Sequence, residues 1–512
     1  MTRYLLSWFF VWASLLAAVA AEDTQPTRTP APTSLNQAVL LALQQNTAVQ
    51  VQAEGVEVKE GLRQQASGQF DWDFSAGASS QRVRTPTAVD PLGRTIVFAQ
   101  DTSTWSLGAT RELRNGIVIQ PTVNVATSRT PAPASGSSQI QLQILVPLLR
   151  GLGTDSTGAA EAAARGDIEV ARLLYRHELA AQAFATASAY WTARAAEDSL
   201  VVQRDVEVRA QKLLDSMRVL VGSRVFSPDY LLQAEANFQE KSTLRRSAEL
   251  AAITARFDPG RVLGLKPEQM AAAPTPGDAL PALQSTPLAL GSQELADRLV
   301  RLALANRADY LAVRQSQVPL GILARQAEKD LKPRLNLSLS GGYAGFDPSG
   351  SQVRPLTERL TGGNAQAGLA LDWPMHNSYQ LGLLRERRAT LRQTEAQTAA
   401  LATDIAASTL TAFAEVRLLS ESVISATITV DTAQKASANQ HARLRSGESS
   451  VIDVINLDNL ASSARLRLID TASGYAIAVA RLRYTTGLIF ADSTDNHSFH
   501  LRDLTAPPLD EN

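Results

Sequence analysis

From Phe70 the chain alternates apolar and polar residues with a period of two. Phe70, Trp72, Phe74, Ala76 and Ala78 interleave with Asp71, Asp73, Ser75, Gly77 and Ser79. Trp105, Leu107 and Ala109 alternate with Ser106, Gly108 and Thr110. Ile117, Ile119, Val123 and Val125 follow, then Leu142, Ile144 and Val146. Later come Leu335, Leu337 and Leu339, and then Ala367, Leu369, Leu371 and Trp373. Runs of about 8–12 residues with one apolar face and one of Asp, Asn, Ser, Gln or Gly suit a transmembrane β-barrel, greasy toward lipid and wet within. A soluble sandwich gives the same alternation. Two features favour the barrel. Trp72, Trp105 and Trp373 lie in these runs, where interfacial girdles sit. Long polar loops (Arg82–Asp101, Thr127–Ser138, Gly345–Gly363) contrast with the tight Asn115-Gly116 hairpin turn.

The remaining pattern is helical. Leu35, Val39, Leu43, Val51, Val58 and Leu62 recur at helical spacing in Ser34–Ala66, with Ser34 as N-cap. Residues 148–227 and 375–506 lack proline, and Ala159–Val221 and Tyr379–Ser446 are rich in Ala, Arg, Glu and Leu. Each predicts one helix of roughly 63–68 residues, about 95–100 Å long. Ser34–Ala66 with Pro228–Phe257 matches the length of the first rod, and Ser292–Leu331 with Ser450–Gly487 that of the second. Short helices stacked end to end beside each rod form two long hairpin bundles.

The two sets of elements are copies of one plan, near 260 residues apart. Leu35–Asn46 reads against Leu295–Asn306, Phe70–Phe74 against Leu335–Leu339, and Ser227–Ala236 against Val451–Leu460. The predicted layout is a signal peptide over 1–20, a leader over 21–33 and a first repeat over 34–257. That repeat holds strands at about 68–147, a long helix over 155–221 and a helix over 228–257. A Pro-rich linker over 258–291 follows, with Pro259, Pro267, Pro274, Pro276, Pro281 and Pro287. The second repeat, 292–490, holds strands at about 333–373, a long helix over 376–446 and a helix over 450–487. A polar tail closes the chain over 491–512.

Arg3, the apolar run Tyr4–Val19 and Ala18-Val19-Ala20 give the signal-peptide reading. A net charge of −1 leaves no basic footprint for nucleic acid. There is no cysteine, hence no disulfide, thiolate site or thiol nucleophile. His177, His376, His441, His497 and His500 read as surface residues, without close ligand spacing apart from the His497/His500 pair in the tail. Gly151-Leu152-Gly153-Thr154-Asp155-Ser156 reads as a strand-to-helix turn, since no Gly-Lys-Ser/Thr follows. No constellation for catalysis is visible, so the expectation is a protein with no enzymatic activity, cofactor or metal. Four to six strands per chain cannot close a channel-sized barrel, and lipid forbids open edges. A ring of identical chains solves both problems, and three give twelve to eighteen strands.

The repeat, the LALQQN and LALANR helices, QLQILVPLLRGLG after the strands and Gly447–Ile455 (GESSVIDVI) together resemble the TolC-like outer-membrane efflux proteins. The likeness covers nearly all of 34–490. It implies a homotrimer whose shared transmembrane β-barrel lies in the lipid of the outer membrane, continued by a long periplasmic α-helical barrel. The partners it implies are a periplasmic adaptor (membrane-fusion) protein and an inner-membrane RND or ABC pump. It also implies a tunnel mouth near Val221–Asp229 and Arg445–Asp453, where family aspartates ring the bore. Asp453 matches that motif, Asp229 is its counterpart in the first half, and Asn456 stands where a second aspartate is usual. Leu444 and Ser449 occupy positions where the family often has tyrosine and arginine, and Arg443 and Arg445 are the substitutes at hand. The bland alternative is that both aspartates merely favour helix N-termini. A rival function is a periplasmic coiled-coil adaptor or scaffold, and a third is a porin-like uptake channel.

Overall fold

In the computed structural model, the described residues are 33–130, 133–223, 227–283, 291–352, 354–446, 448–491, 500–501 and 504–508. The expected signal peptide, most of the leader and most of the tail lie outside them. The elements run α1 (Leu35–Gln45), α2 (Thr47–Gly68), β1 (Asp73–Val89), β2 (Thr95–Glu112), β3 (Val118–Arg129), β4 (Ser135–Pro147), α3 (Thr154–Thr157), α4 (Ala159–Gly222) and α5 (Pro228–Val262). A 3-10 turn over Pro267–Ala272 precedes α6 (Gln293–Asn306), α7 (Ala308–Lys329), β5 (Arg334–Asp347), α8 (Arg354–Thr357), β6 (Leu360–Asp372), α9 (Ser378–Arg445) and α10 (Val451–Thr485). Two short strands, β7 (Phe490–Ala491) and β8 (His500–Leu501), pair near the end. The twofold plan is visible directly: two helices, strands, one long helix and one shorter helix, twice.

The chain divides into two compact units, each drawn from three segments. One holds residues 47–184, 285–420 and 478–512. Its six strands form one antiparallel sheet in the order β1-β2-β3-β4-β5-β6. Cross-strand partners share a face. The register therefore puts Phe74, Ala76, Ala78, Trp105, Leu107 and Ala109 on one side with Val123, Val125, Ile140, Leu142, Ile144, Leu337, Leu339, Leu369 and Leu371. The other side carries Asp73, Ser75, Ser106, Asn124, Gln139, Gln141, Gln143, Ser338, Ser340 and Gln366. Large apolar side chains stay exposed on the first face, among them Phe74, Leu107, Leu369 and Leu371. Trp72 and Trp373 flank the ends of β1 and β6, and Arg111 lies over the Trp72 ring at 5.6 Å. Among the described residues β1 and β6 each pair on one side only.

The strands are longer than the sequence suggested, 17 residues in β1 and 18 in β2. Arg82–Asp101, expected as a loop, is mostly a continued hairpin, because Arg82 and Asp101 pair across it and its backbone hydrogen bonds go on past them. The true turn is Asp90–Arg94, where the Asp90 carboxylate accepts from the amides of Leu92 and Arg94 and from Arg94 Nε. Polar residues and a proline hide a strand once it leaves the bilayer-type alternation. Strand pairing likewise runs into both ends of the expected Thr127–Ser138 loop, and α8 interrupts Gly345–Gly363.

The Asn115-Gly116 turn joins β2 to β3, with Gly116 at φ +90°. It packs on the glycine loop: Gly153 N donates to Asn115 O at 3.0 Å, and a Cβ on Gly116 would lie 2.1 Å from Gly151 O. Gly151 and Gly153 take φ +87° and +91°. The loop is a strand-to-helix turn. Arg114 then meets the buried Glu161 at 2.7 Å, with Arg165 on the same carboxylate.

Expected single helices at Ser34–Ala66 and Ser292–Leu331 are each two. Asn46 and Arg307 leave helical geometry, at ψ 127° and 117°. Asn46 donates its side-chain amide to Val262 O at 2.6 Å. Arg307 pairs with Asp309 at 2.6 Å and sits 5.7 Å from the Tyr484 ring centroid. Each break faces a glycine that ends a helix. Gly264, after α5, has φ +73°, and a Cβ there would lie 2.7 Å from Gln45 O. Gly487, after α10, has the same φ and would meet Asn306 C at 2.8 Å. Leu265 N and Leu488 N close the two turns onto Gly260 O and Arg483 O, in the manner of left-handed helix caps.

The other unit holds residues 1–46, 185–284 and 421–477. Its core includes Val39, Ala42, Trp191, Leu214, Met217 and Leu263. The Pro-rich stretch is tied in: Thr33 N donates to Thr275 O, and Tyr190 Oη accepts from the amides of Gly277 and Asp278. Burial pushes the Tyr190 phenol up to about 12.

Candidate functional site

The two turns where a long helix hands over to a shorter one lie in the second unit described. Serine caps each following helix. Ser450 N-caps α10: its Oγ accepts from Asp453 N at 3.2 Å and donates to Asp453 Oδ2 at 2.7 Å. Ser450 N also donates to Asp453 Oδ2, at 3.4 Å, so side chain and backbone cap one another reciprocally. Ser227 treats Asp229 similarly at the start of α5, its Oγ 3.2 Å from Asp229 Oδ2, with Pro228 at the first helical position. The N-terminal role is thus real for both aspartates.

Asp229, Asp453, Asn456 and Arg443 are all exposed. Asp453 and Asn456 stand three residues apart, on one face of α10. Among the described residues no ion pair joins Arg443 to either aspartate. Arg445 ends α9, and its side chain lies outside the described residues, as do Arg224–Phe226 and Gly447. Leu444 is not exposed: it is buried with Leu213, Leu214, Met217, Ala234, Val451 and Val454. That cluster draws on α4, α5, α9 and α10 and fixes both turns from beneath. Ser449 Oγ accepts from Gln440 Nε2 at 2.6 Å.

His441, expected at the surface, is half-buried, its Nε2 2.9 Å from Asp458 Oδ2. Ser437 Oγ donates to the same carboxylate. Burial pushes the Asp458 carboxyl up, but hydrogen bonds from His441 and Ser437, with the charges of His441 and Arg209, outweigh it and hold it below the usual carboxylate range. Nearby, Asp205 takes Arg465 at 2.8 Å and Arg209 at 3.2 Å. The available signal was position: His441 and Asp458 lie nearly equidistant from the α9–α10 turn, so an antiparallel hairpin sets them face to face. Among the described residues no group of three or more His, Cys, Asp or Glu could hold a metal ion.

The six-stranded sheet and the two long helices are a fold also found in solved outer-membrane channels. Residues 299–488 match the family described as outer membrane efflux protein. The outer-membrane channel OprN shares the fold with TM-score 0.66 at 15% identity, covering 88% of this chain and 89% of that one. The CmeC outer membrane channel of Campylobacter jejuni gives 0.67 at 12%, covering 93% and 92%. VceC of Vibrio cholerae gives 0.64 at 14%, covering 88% and 96%. No curated protein matches in sequence. The chain is TolC-like in fold, and its second repeat carries the outer membrane efflux protein signature.

Proposed function

We propose that the protein is a passive exit duct of the outer membrane, serving a tripartite efflux or type I secretion system with an inner-membrane RND or ABC pump and a periplasmic adaptor. The carrying observation is the six-stranded sheet whose apolar face crosses all six strands and whose two edges are unpaired among the described residues. Lipid accepts the apolar face but no open edge. β1 of one copy therefore pairs with β6 of the next. Three copies of six strands supply eighteen, and a barrel of roughly that size leaves an aqueous channel. The long helices α4 and α9 prolong the bore into the periplasm, and the pump supplies the energy.

At the tunnel mouth, Asp229 and Asp453 from each copy form rings of carboxylate that draw cations into a narrow bore. Their exposure and lack of ion pairs among the described residues support this role beside their capping one. Asn456 leaves the second position uncharged. Arg443 and Arg445 contribute the closing contacts.

Planar-bilayer recording of the purified oligomer tests the reading. It should conduct with cation preference, and Asp229→Asn with Asp453→Asn should lower that preference severalfold. Silence, even after Asp229→Ala and Arg443→Ala, removes the duct. Membrane fractionation separates the adaptor alternative: a duct resists salt extraction and runs as an SDS-resistant oligomer, whereas a scaffold washes off.

A further inference from the structure

The helices joined to the two edge strands are themselves outermost in their layer. Arg172 of α4 meets Glu60 of α2 at 3.1 Å. A Cβ on Gly166 of α4 would lie 3.1 Å from Pro319 Cδ of α7. Gln317 of α7 donates to Thr398 Oγ1 of α9 at 2.8 Å. The lateral order is therefore α2-α4-α7-α9.

Each outer helix has a face turned away from its inner neighbour. On α2, Val58 lies two residues from Glu60, about 200° round the helix. Val51 and Val58 stand two turns apart on that far side, 61% and 60% exposed, with Glu54 exposed between them. On α9, Thr398 takes the contact with α7, and Ala389 and Ala396 come round about 180° and 200° from it. Both are exposed, and so is Arg392 between them. Among the described residues neither Glu54 nor Arg392 enters an ion pair.

Four residues join α2 to β1, and five join β6 to α9. Closure of the sheet sets β6 of one copy beside β1 of the next, so the helices joined to them also come side by side. α2 runs toward the sheet and α9 away from it, so the two meet antiparallel. With their sheet-side ends, Gly68 and Ser378, level, Val58 falls within one residue of Ala389 and Val51 within one residue of Ala396. Glu54 falls level with Arg392. Valine over alanine lets the helices approach and buries the exposed apolar area.

We propose that α2 of one copy packs antiparallel on α9 of the next, seating Val51 and Val58 over Ala396 and Ala389 and setting Glu54 against Arg392. This rests on the duct reading above. The occupant of each face is a second copy of this chain, because the charges are complementary and the contact continues the strand seam. The contact is head-to-tail: α2 meets α9 and never another α2.

The chain has no cysteine, so introduced thiols are unique. Val58→Cys and Ala389→Cys, combined in one chain, are oxidised with copper phenanthroline in the detergent-purified oligomer. Covalent multimers severalfold above either single variant are expected. Val51→Cys with Ala396→Cys reads the same contact should the first pair assemble poorly. Arg392→Glu should lower the temperature at which the oligomer dissociates in SDS, and Glu54→Arg added to it should restore that temperature. Free thiols in both pairs in an intact oligomer overturn the proposal and leave the duct standing. So do multimers from Val58→Cys alone, which set α2 against α2, and disulfides closed within one chain. Failure of Glu54→Arg to restore the temperature overturns the Glu54–Arg392 contact. A monomer in the unsubstituted chain sinks the duct reading itself.

Discussion

Asp458 shows how a single carboxylate stabilises a helix hairpin. It receives Ser437 and His441 from α9 while itself belonging to α10. Asp458→Ala leaves both donors without their acceptor in a half-buried site, at a cost of about 1–3 kcal/mol in unfolding free energy, measurable by denaturant titration. The folded state holds this carboxyl below its unfolded value. Its stabilisation is therefore complete above about pH 4 and is lost as the pH falls through the lower folded value. Asp458→Asn should flatten that acid limb in thermal melts between pH 7 and pH 3. An unchanged acid limb would show that the titration lies elsewhere. Burial and pairing of His441 come from three-dimensional proximity across a turn, which residue type alone does not reveal.

Among the elements, the paired helix breaks set the geometry of both repeats. Gly264 and Gly487 each occupy a left-handed cap pressed on the backbone of a break at Asn46 or Arg307. A Cβ meets backbone there rather than a yielding side chain. Gly487→Ala should therefore destabilise by about 2 kcal/mol or more, from strained φ plus the clash, whereas Gly222→Ala, with open space around it, should cost little. Matching melting temperatures for the two variants would contradict this. The sequence made the strands, the two rods and the Ser34 cap legible, because period, proline absence and capping chemistry are local. It did not expose the breaks, since Asn46 and Arg307 sit in helix-forming surroundings and are turned by distant partners. The repeated Gly-Leu pair at 264–265 and 487–488 was the overlooked hint. Asp229 and Asp453 were legible as residues at helix starts, but not the burial of Leu444, which depends on four helices meeting.

For the molecule as a whole, the two faces of the sheet face opposite demands. Leu339 and Ser340 are neighbours in β5 on opposite faces. In the proposed duct, Leu339→Arg puts a cation on the lipid side, at about 2–4 kcal/mol near the bilayer midplane. In that reading Ser340→Arg puts it in the wet bore. The first should cut the yield of SDS-resistant oligomer in outer membranes, and the second should spare yield and shift ion selectivity toward anions. Equal yields would mean that the apolar face does not meet lipid.

Neither compact unit is continuous along the chain: among the described residues one draws on stretches within 33–46, 185–283 and 421–477. A nascent polypeptide thus lacks the pieces of either unit until translation is nearly over. It must be kept from premature collapse until then. Truncated fragments should accordingly behave as sticky, protease-sensitive chains rather than as separable half-proteins.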